Sequence, residues 1–223
     1  MGEQIRIEGS ASNPIALAIR SDIIDGSMLA GARVTEEMVC SRFSVSRHSA
    51  RAAIQILVGQ GLLVHERNRG AVVPHVTDAR IDEMCSYRLV LETGALKLAL
   101  ARGTDWQAVD AAVSRLEGLD ESTSWHVVID VHAEIHRAIA VESCNAKLIA
   151  AHAASEAELT CMLAIIRPEY SAARLAAMHR HLYEQLTLGG EAALRALEYD
   201  LEMGGRDAMH RALARPDPGS PSV

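Results

Sequence analysis

Two groups of residues have the types and spacing to do chemistry. His132 and His136 stand four apart in a stretch of helical period, so both rings can reach one point. His179 falls in a later helical stretch that an antiparallel arrangement can bring opposite them. Three convergent imidazoles can hold a metal ion, line a polar pocket without one, or simply face water. The second group is basic. Between residues 41 and 75 lie five arginines, Arg42, Arg47, Arg51, Arg67 and Arg69, against a single acid, Glu66. Residues 1–77 carry 8 basic against 7 acidic side chains, a balance of +1, whereas residues 78–223 carry 14 against 22, or −8, which together give the net −7. A short basic island on an acidic body fits a local DNA footprint better than general polyanion affinity.

The elements that position these groups are legible from period and punctuation. The 223 residues, 49% hydrophobic and 23% charged, suffice for one or two domains with cores of their own. No apolar run reaches the ~20 residues of a membrane span. The start, Met1-Gly2-Glu3-Gln4-Ile5-Arg6, lacks the pattern of a secretory signal. Cys40, Cys85, Cys144 and Cys161 are far apart and form no C-x-x-C pair, so they read as reduced thiols. The expectation is a soluble, cytoplasmic protein with no membrane partner.

Asn13-Pro14 opens a first helix in which Ile15, Ile19 and Ile23 repeat until Gly26. Thr35 caps a second helix with Glu36 and Glu37 in its first turn, and Ser46 caps a third over roughly 46–59. In that third helix Ala50, Ala53, Ile54, Leu57 and Val58 form a core-facing stripe, which leaves Arg47, His48, Arg51 and Gln55 on other faces. Leu62-Leu63-Val64 and Ala71-Val72-Val73 then read as two strands of a hairpin closed by Glu66 to Gly70. This order is a winged helix-turn-helix, whose third helix puts its N-terminal residues against base edges in the major groove. From Asp78 the period is helical, with helices near 78–102, 104–118, 123–142, 145–166, 168–188 and 191–212. The fold class is therefore mostly α: an N-terminal winged helix-turn-helix (1–76), a C-terminal antiparallel all-α helical bundle (77–214) and a disordered tail (215–223).

The N-terminal part resembles GntR-family transcription regulators of the FadR-like branch, whose effector domain is a helical FCD-type bundle. The residues that carry the resemblance are Gly31-Ala32-Arg33-Val34-Thr35-Glu36, Phe43-Ser44-Val45-Ser46-Arg47, Arg51-Ala52-Ala53-Ile54, Leu57, Gly61-Leu62-Leu63 and Asn68-Arg69-Gly70-Ala71-Val72-Val73. In the C-terminal part they are Arg88 with Glu92, and Ile135-His136 with Asn145. The resemblance implies a homodimer on a palindromic double-stranded operator, modulated by a small molecule in the bundle. It implies DNA contacts by Ser46, Arg47, His48 and Arg51, with Arg67, Asn68, Arg69 and Gly70 lining the wing.

Many members of this branch hold a divalent metal with an Asp one turn before the first histidine and two later histidines. His132 stands at that Asp position, His136 and His179 match the next two, and no histidine occupies the closing position near Glu198 to Glu202. Asp200 is the nearest candidate, one residue out of step. The implied set of His132, His136, His179 and Asp200 is nitrogen-rich and suits zinc or nickel, or copper, more than magnesium or calcium. Its open positions would take the carboxylate of an organic acid, with His132, His136 and His179 as ligand-binding residues. Arg88 has two uses open to it, a fork of hydrogen bonds to that carboxylate or a bridge to Glu92 one turn on.

Two rival functions fit the residues less well. His132-Ala133-Glu134-Ile135-His136 is near the H-E-x-x-H of zinc hydrolases, but Ala133 stands where the general base belongs and Glu134 faces elsewhere. With no nucleophile elbow and no phosphate or dinucleotide loop either, an enzyme is not expected. A winged helix that binds protein would not need arginines at the start of its third helix.

Overall fold

The computed structural model describes residues 13–67, 69–164 and 169–215. These fall into two compact units, one ending at His75 and the other beginning at Val76.

In the first unit, α1 (Pro14–Ile24), α2 (Glu36–Phe43) and α3 (Arg47–Gly59) each begin where a side chain can take up free backbone N–H groups. The Asn13 carboxamide oxygen accepts from the amides of Ile15 and Ala16, Thr35 from Met38, and Ser46 from Ser49. Ser44 ends α2 in the left-handed region, the tight reversal that leads into α3. Ala50, Ala53, Ile54 and Leu57 of α3 are buried with Ile19, Ile23 and Val39, so the apolar stripe closes the three-helix core. Phe43 is half-buried and carries the Arg42 guanidinium 4.9 Å above its ring.

Three strands follow an order the hairpin reading lacked: β1 (Arg33–Val34), β3 (Gly70–Val72) and β2 (Val64–Glu66), with β3 in the middle and both pairings antiparallel. Register sets Val64 opposite Val72, His65 opposite Ala71 and Glu66 opposite Gly70. The first hairpin strand starts later than Leu62 because the amides of Leu62 and Leu63 bond back to the Leu57 carbonyl, at 3.0 and 3.2 Å. Those two leucines are fully buried and finish the helix rather than begin the sheet. Gly70 turns the wing with a φ of +78°, a backbone that other residues adopt only under strain.

The second unit is helical: α4 (Asp78–Arg102), α5 (Gln107–Glu117), α6 (Trp125–Glu142), α7 (Ala146–Leu163), α8 (Ala172–Leu188), α9 (Gly190–Tyr199) and α10 (Asp207–Leu213). α5 packs on α6 and α8, α4 on α6 and α7, and α9 on α8. Ile81, Leu96, Leu116, Ile129, Ile135, Ile139 and Met162 fill the interior. α5 starts three residues later than its sequence period suggested, since Trp106 is buried in a left-handed conformation just before it. The stretch read as one helix over 191–212 is broken by a π-helical segment, Asp200–Arg206. Pro168, the end of the helix expected to 166 and the tail beyond Arg215 lie outside the described residues.

Candidate functional site

Four elements of the helical unit meet around one small cavity. α4 contributes Arg88 and Glu92, α6 His132 and His136, α8 His179, and the π segment Asp200. His132, His136, His179, Arg88 and Glu92 are all buried. One ring nitrogen from each of the three histidines lies within 4.8 Å of the other two. Asp200 reaches the same point, its carboxylate oxygens 3.5 Å from His136 Nε2 and 3.6 Å from His179 Nε2. The four residues proposed from sequence as ligands thus converge.

The hydrogen bonds behind the rings decide which atoms face inward. Glu92 receives Arg88 Nε at 2.7 Å on one oxygen and His136 Nδ1 at 2.9 Å on the other. Burial would raise the Glu92 carboxyl, but Arg88, then His136 and His152, outweigh it and hold it at about 2. An ionised carboxylate only accepts, so His136 donates to it from Nδ1 and turns its Nε2 toward the cavity. His179 is fixed in the same sense, since its Nδ1 donates to the Leu175 carbonyl at 2.8 Å. The two Nε2 atoms then face each other across 3.4 Å with the Asp200 carboxylate beside both. Burial, then the neighbouring rings and Arg88, push the His132 imidazole well below its ordinary range. Burial also lowers His179, against the pull of Asp200. Ring nitrogens from three histidines converging beside a carboxylate are what a cation satisfies. The residues present fit a divalent transition metal.

Among the described residues, Arg88 Nη2, His132 Nδ1 and His152 Nδ1 are buried without a hydrogen-bond partner. The cavity between Arg88, His132, His136, His179 and Asp200 measures about 10 Å³. That is room for an ion or a single water and no more. Outside it, α8 and α9 border an open cleft of about 680 Å³ whose wall includes Met178, Leu182, Ala196, Tyr199 and again Asp200.

In the first unit Ser46, Arg47, His48 and Arg51 are exposed together along the N-terminal half of α3, and Arg67, Arg69 and Gly70 are exposed on the wing. Asn68 lies outside the described residues. The basic island is less bare in space than in sequence. Acids from earlier in the chain reach it, with Asp22 paired to Arg42 and Glu36 to Arg51. Arg69 bonds Glu66 at 2.7 Å and the Gly31 carbonyl at 3.2 Å, which ties the wing turn to the segment before β1. Arg47 and Arg67 are in no ion pair recorded among the described residues. Sequence reasoning gave no DNA-facing role to Arg33, whose Nε donates to the Arg69 carbonyl, or to His65, whose ring lies 3.4 Å from Gln55; both line a cleft that Arg51 and Arg69 also border.

Residues 11–73 match the family described as bacterial regulatory proteins, gntR family, and residues 83–201, more than half of the chain, match the FCD domain. The chain belongs to the GntR family. It is a transcriptional regulator with an FCD domain, and its relatives are regulators, not enzymes. It is 36% identical over 110 residues to the HTH-type transcriptional regulator BphR of Paraburkholderia xenovorans, which covers 47% of this chain and 44% of that protein. It is 37% identical over 79 residues to the gluconate operon transcriptional repressor of Bacillus subtilis, or 35% of this chain and 32% of the repressor. The matches thus span less than half the length of these curated relatives. A GntR regulator from Rhodococcus sp. RHA1 superposes with a TM-score of 0.71 at 26% identity, over 91% of this chain and 97% of the other. McbR/YncC of E. coli shares the fold, with a TM-score of 0.70 at 18% identity over 88% and 96%.

Two features of this GntR regulator were not legible from spacing. His152 on α7 stands 3.7 Å from Glu92, so the buried carboxylate gathers two histidines as well as Arg88. Burial lowers His152 too, against the pull of Glu92. His210, too late in the chain to reach the centre, instead sits between Asp78 and Asp82 at the start of α4, 2.6 and 3.0 Å away. No helix among the described residues is long and apolar enough to cross a membrane.

Proposed function

We propose that this regulator binds a palindromic operator as a homodimer, that it holds one zinc or nickel ion on His132, His136, His179 and Asp200, and that a small organic acid modulates it. The DNA contacts come from Ser46, Arg47, His48 and Arg51 of α3 and from the wing residues Arg67, Asn68, Arg69 and Gly70. The observation that carries the sensing half is the pair of inward Nε2 atoms, fixed from behind by Glu92 and Leu175 and faced by Asp200. A bound metal would supply Lewis-acid sites for a carboxylate. The chain's own residues orient the ligands and offer the spare N–H of Arg88 Nη2 to an acid's second oxygen. Arg88 thereby serves both uses open to it, since its Nε bridges to Glu92 while Nη2 stays free.

Regulation requires that the acid prefer one of two arrangements of the protein. The cavity of about 10 Å³ admits no carboxylate as it stands, so the acid-bound arrangement must differ at the walls. The 680 Å³ cleft that shares Asp200 is the natural approach.

Elemental mass spectrometry of untagged protein tests the metal half. Near one zinc or nickel per chain is expected, and it should be lost in His136→Ala. No metal after incubation with either ion would overturn the site. The DNA half is tested by selecting duplexes from a randomised pool and measuring their affinity for the Arg47→Ala variant. Loss of about 1–3 kcal/mol of discrimination with an unchanged fold is expected, and unaltered binding would remove Arg47 from the DNA face.

A further inference from the structure

Arg51 is held side-on. Its Nε donates to Glu36 Oε1 at 2.7 Å and its Nη2 to Glu36 Oε2 at 3.2 Å, so both carboxylate oxygens lie along one edge of the guanidinium. Glu36 is the first residue of α2 and Arg51 lies in the second turn of α3, which makes the pair a strut between the two helices of the helix-turn-helix. A guanidinium has five N–H groups. The side-on contact takes two and leaves the end-on edge, the Nη1 group with the outward N–H of Nη2, unoccupied by Glu36. The Arg51 side chain is 65% exposed, so that edge faces outward. Two parallel N–H groups of this kind match O6 and N7 of guanine in the major groove.

We infer that Glu36 is a positioning residue for sequence reading: it presents the end-on edge of Arg51 to a guanine in the operator. This rests on the DNA-binding reading above. An unbraced arginine can drop onto any nearby phosphate, which adds affinity for all sequences alike. A braced one loses that freedom and keeps the guanine contact. The Glu36 carboxylate also opposes phosphates that approach from other directions, so its presence lowers affinity for arbitrary DNA. Arg47 adds to the field around the same carboxylate, which the Arg51 hydrogen bonds hold below the ordinary carboxylate range. Glu37, next in the chain, is more exposed and takes no part in the strut.

The readout is opposed changes that a merely structural role would not produce. Duplexes selected by the full chain from a randomised pool are remade with each guanine replaced in turn by adenine. Affinities for these and for a scrambled duplex are measured for the native chain and for Glu36→Ala, Glu36→Gln and Arg51→Ala. The native chain is expected to lose about ten- to a hundredfold at one guanine. At that position Glu36→Ala should lose less than about threefold while binding the scrambled duplex more tightly than the native chain does. Glu36→Gln keeps the shape but not the paired acceptors, and should discriminate as poorly as Glu36→Ala. Thermal melting is expected to be nearly unchanged in both, because an exposed pair adds little stability. If the Glu36 variants keep the native guanine preference while Arg51→Ala loses it, the inference fails and the DNA face stands. If Arg51→Ala also keeps it, or if no duplex is enriched, the DNA-binding reading fails and takes the inference with it.

Discussion

His132, His152 and His179 are held neutral by burial, and this fixes how the metal-free helical unit answers to acid. Each has a folded pKa below the ordinary value of about 6.5, so the unfolded chain takes up protons first as pH falls. Their contribution to stability is present above that value and is lost on acidification toward the folded pKa. His210 works in the opposite sense. The hydrogen bonds to Asp82 and Asp78 raise its pKa, so its contribution is present below about 6.5 and fades as pH rises through the raised value. Three groups against one give an expected fall of several degrees in melting temperature between pH 7.5 and pH 5.5 in chelator-treated protein. In His210→Ala that fall should be steeper. A melting temperature that rises on acidification would contradict the neutral assignment. The spacing of His132 and His136 announced itself in the sequence because one helical turn brings such residues together. The contacts of Glu92 with His136 and His152 did not, since they depend on how α7 and α4 pack against α6. The partnership of Glu36 with Arg51 was hidden for the same reason, as it crosses from one helix to another.

At the scale of elements, the informative departure is the π segment. Caps and glycines marked the helices well: Asn13, Thr35 and Ser46 each accept the expected amides, and Gly103 ends α4 in the left-handed region. No punctuation of that kind marks a wide turn within a helix, and a continuous helical period over 191–212 concealed it. The π segment begins at Asp200, the residue that is one step out of line with the ligand position implied by resemblance. A π turn accommodates one more residue than an α turn, and such insertions recur at functional sites. Gly204 and Gly205 lie within it and line the cavity. A Cβ on Gly204 would stand 3.0 Å from Met178 Cε and 3.4 Å from Asp200 Oδ1, whereas on Gly205 it would meet only the Asp200 carbonyl oxygen at 3.8 Å. Gly204→Ala is therefore expected to displace the Asp200 carboxylate and weaken zinc binding by about tenfold or more, read by competition with a chromogenic chelator. Gly205→Ala should stay close to native. Equal effects from both would mean that Asp200 is not held in place by this packing.

At the scale of the whole molecule, the two units have separate cores. The division of charge visible in the sequence, +1 against −8, follows that separation. It overstated the bareness of the basic face, because Asp22 and Glu36 lie outside the arginine-rich window yet fold onto it. Fold class could be read from the chain because period and caps are local signals. The third strand could not, being a two-residue segment whose only cause is its partner β3.

If an organic acid is sensed at the cavity of about 10 Å³ beside Asp200, as proposed, the small size of that cavity bears on time as well as on affinity. An acid that must wait for the walls to part can associate no faster than they part. In rapid mixing of zinc-loaded protein with citrate, the observed rate is expected to level off as the acid concentration rises; a rate that climbs without a ceiling would mean an open path. A regulator gated in this way ignores brief pulses of its signal and answers only to an acid that persists.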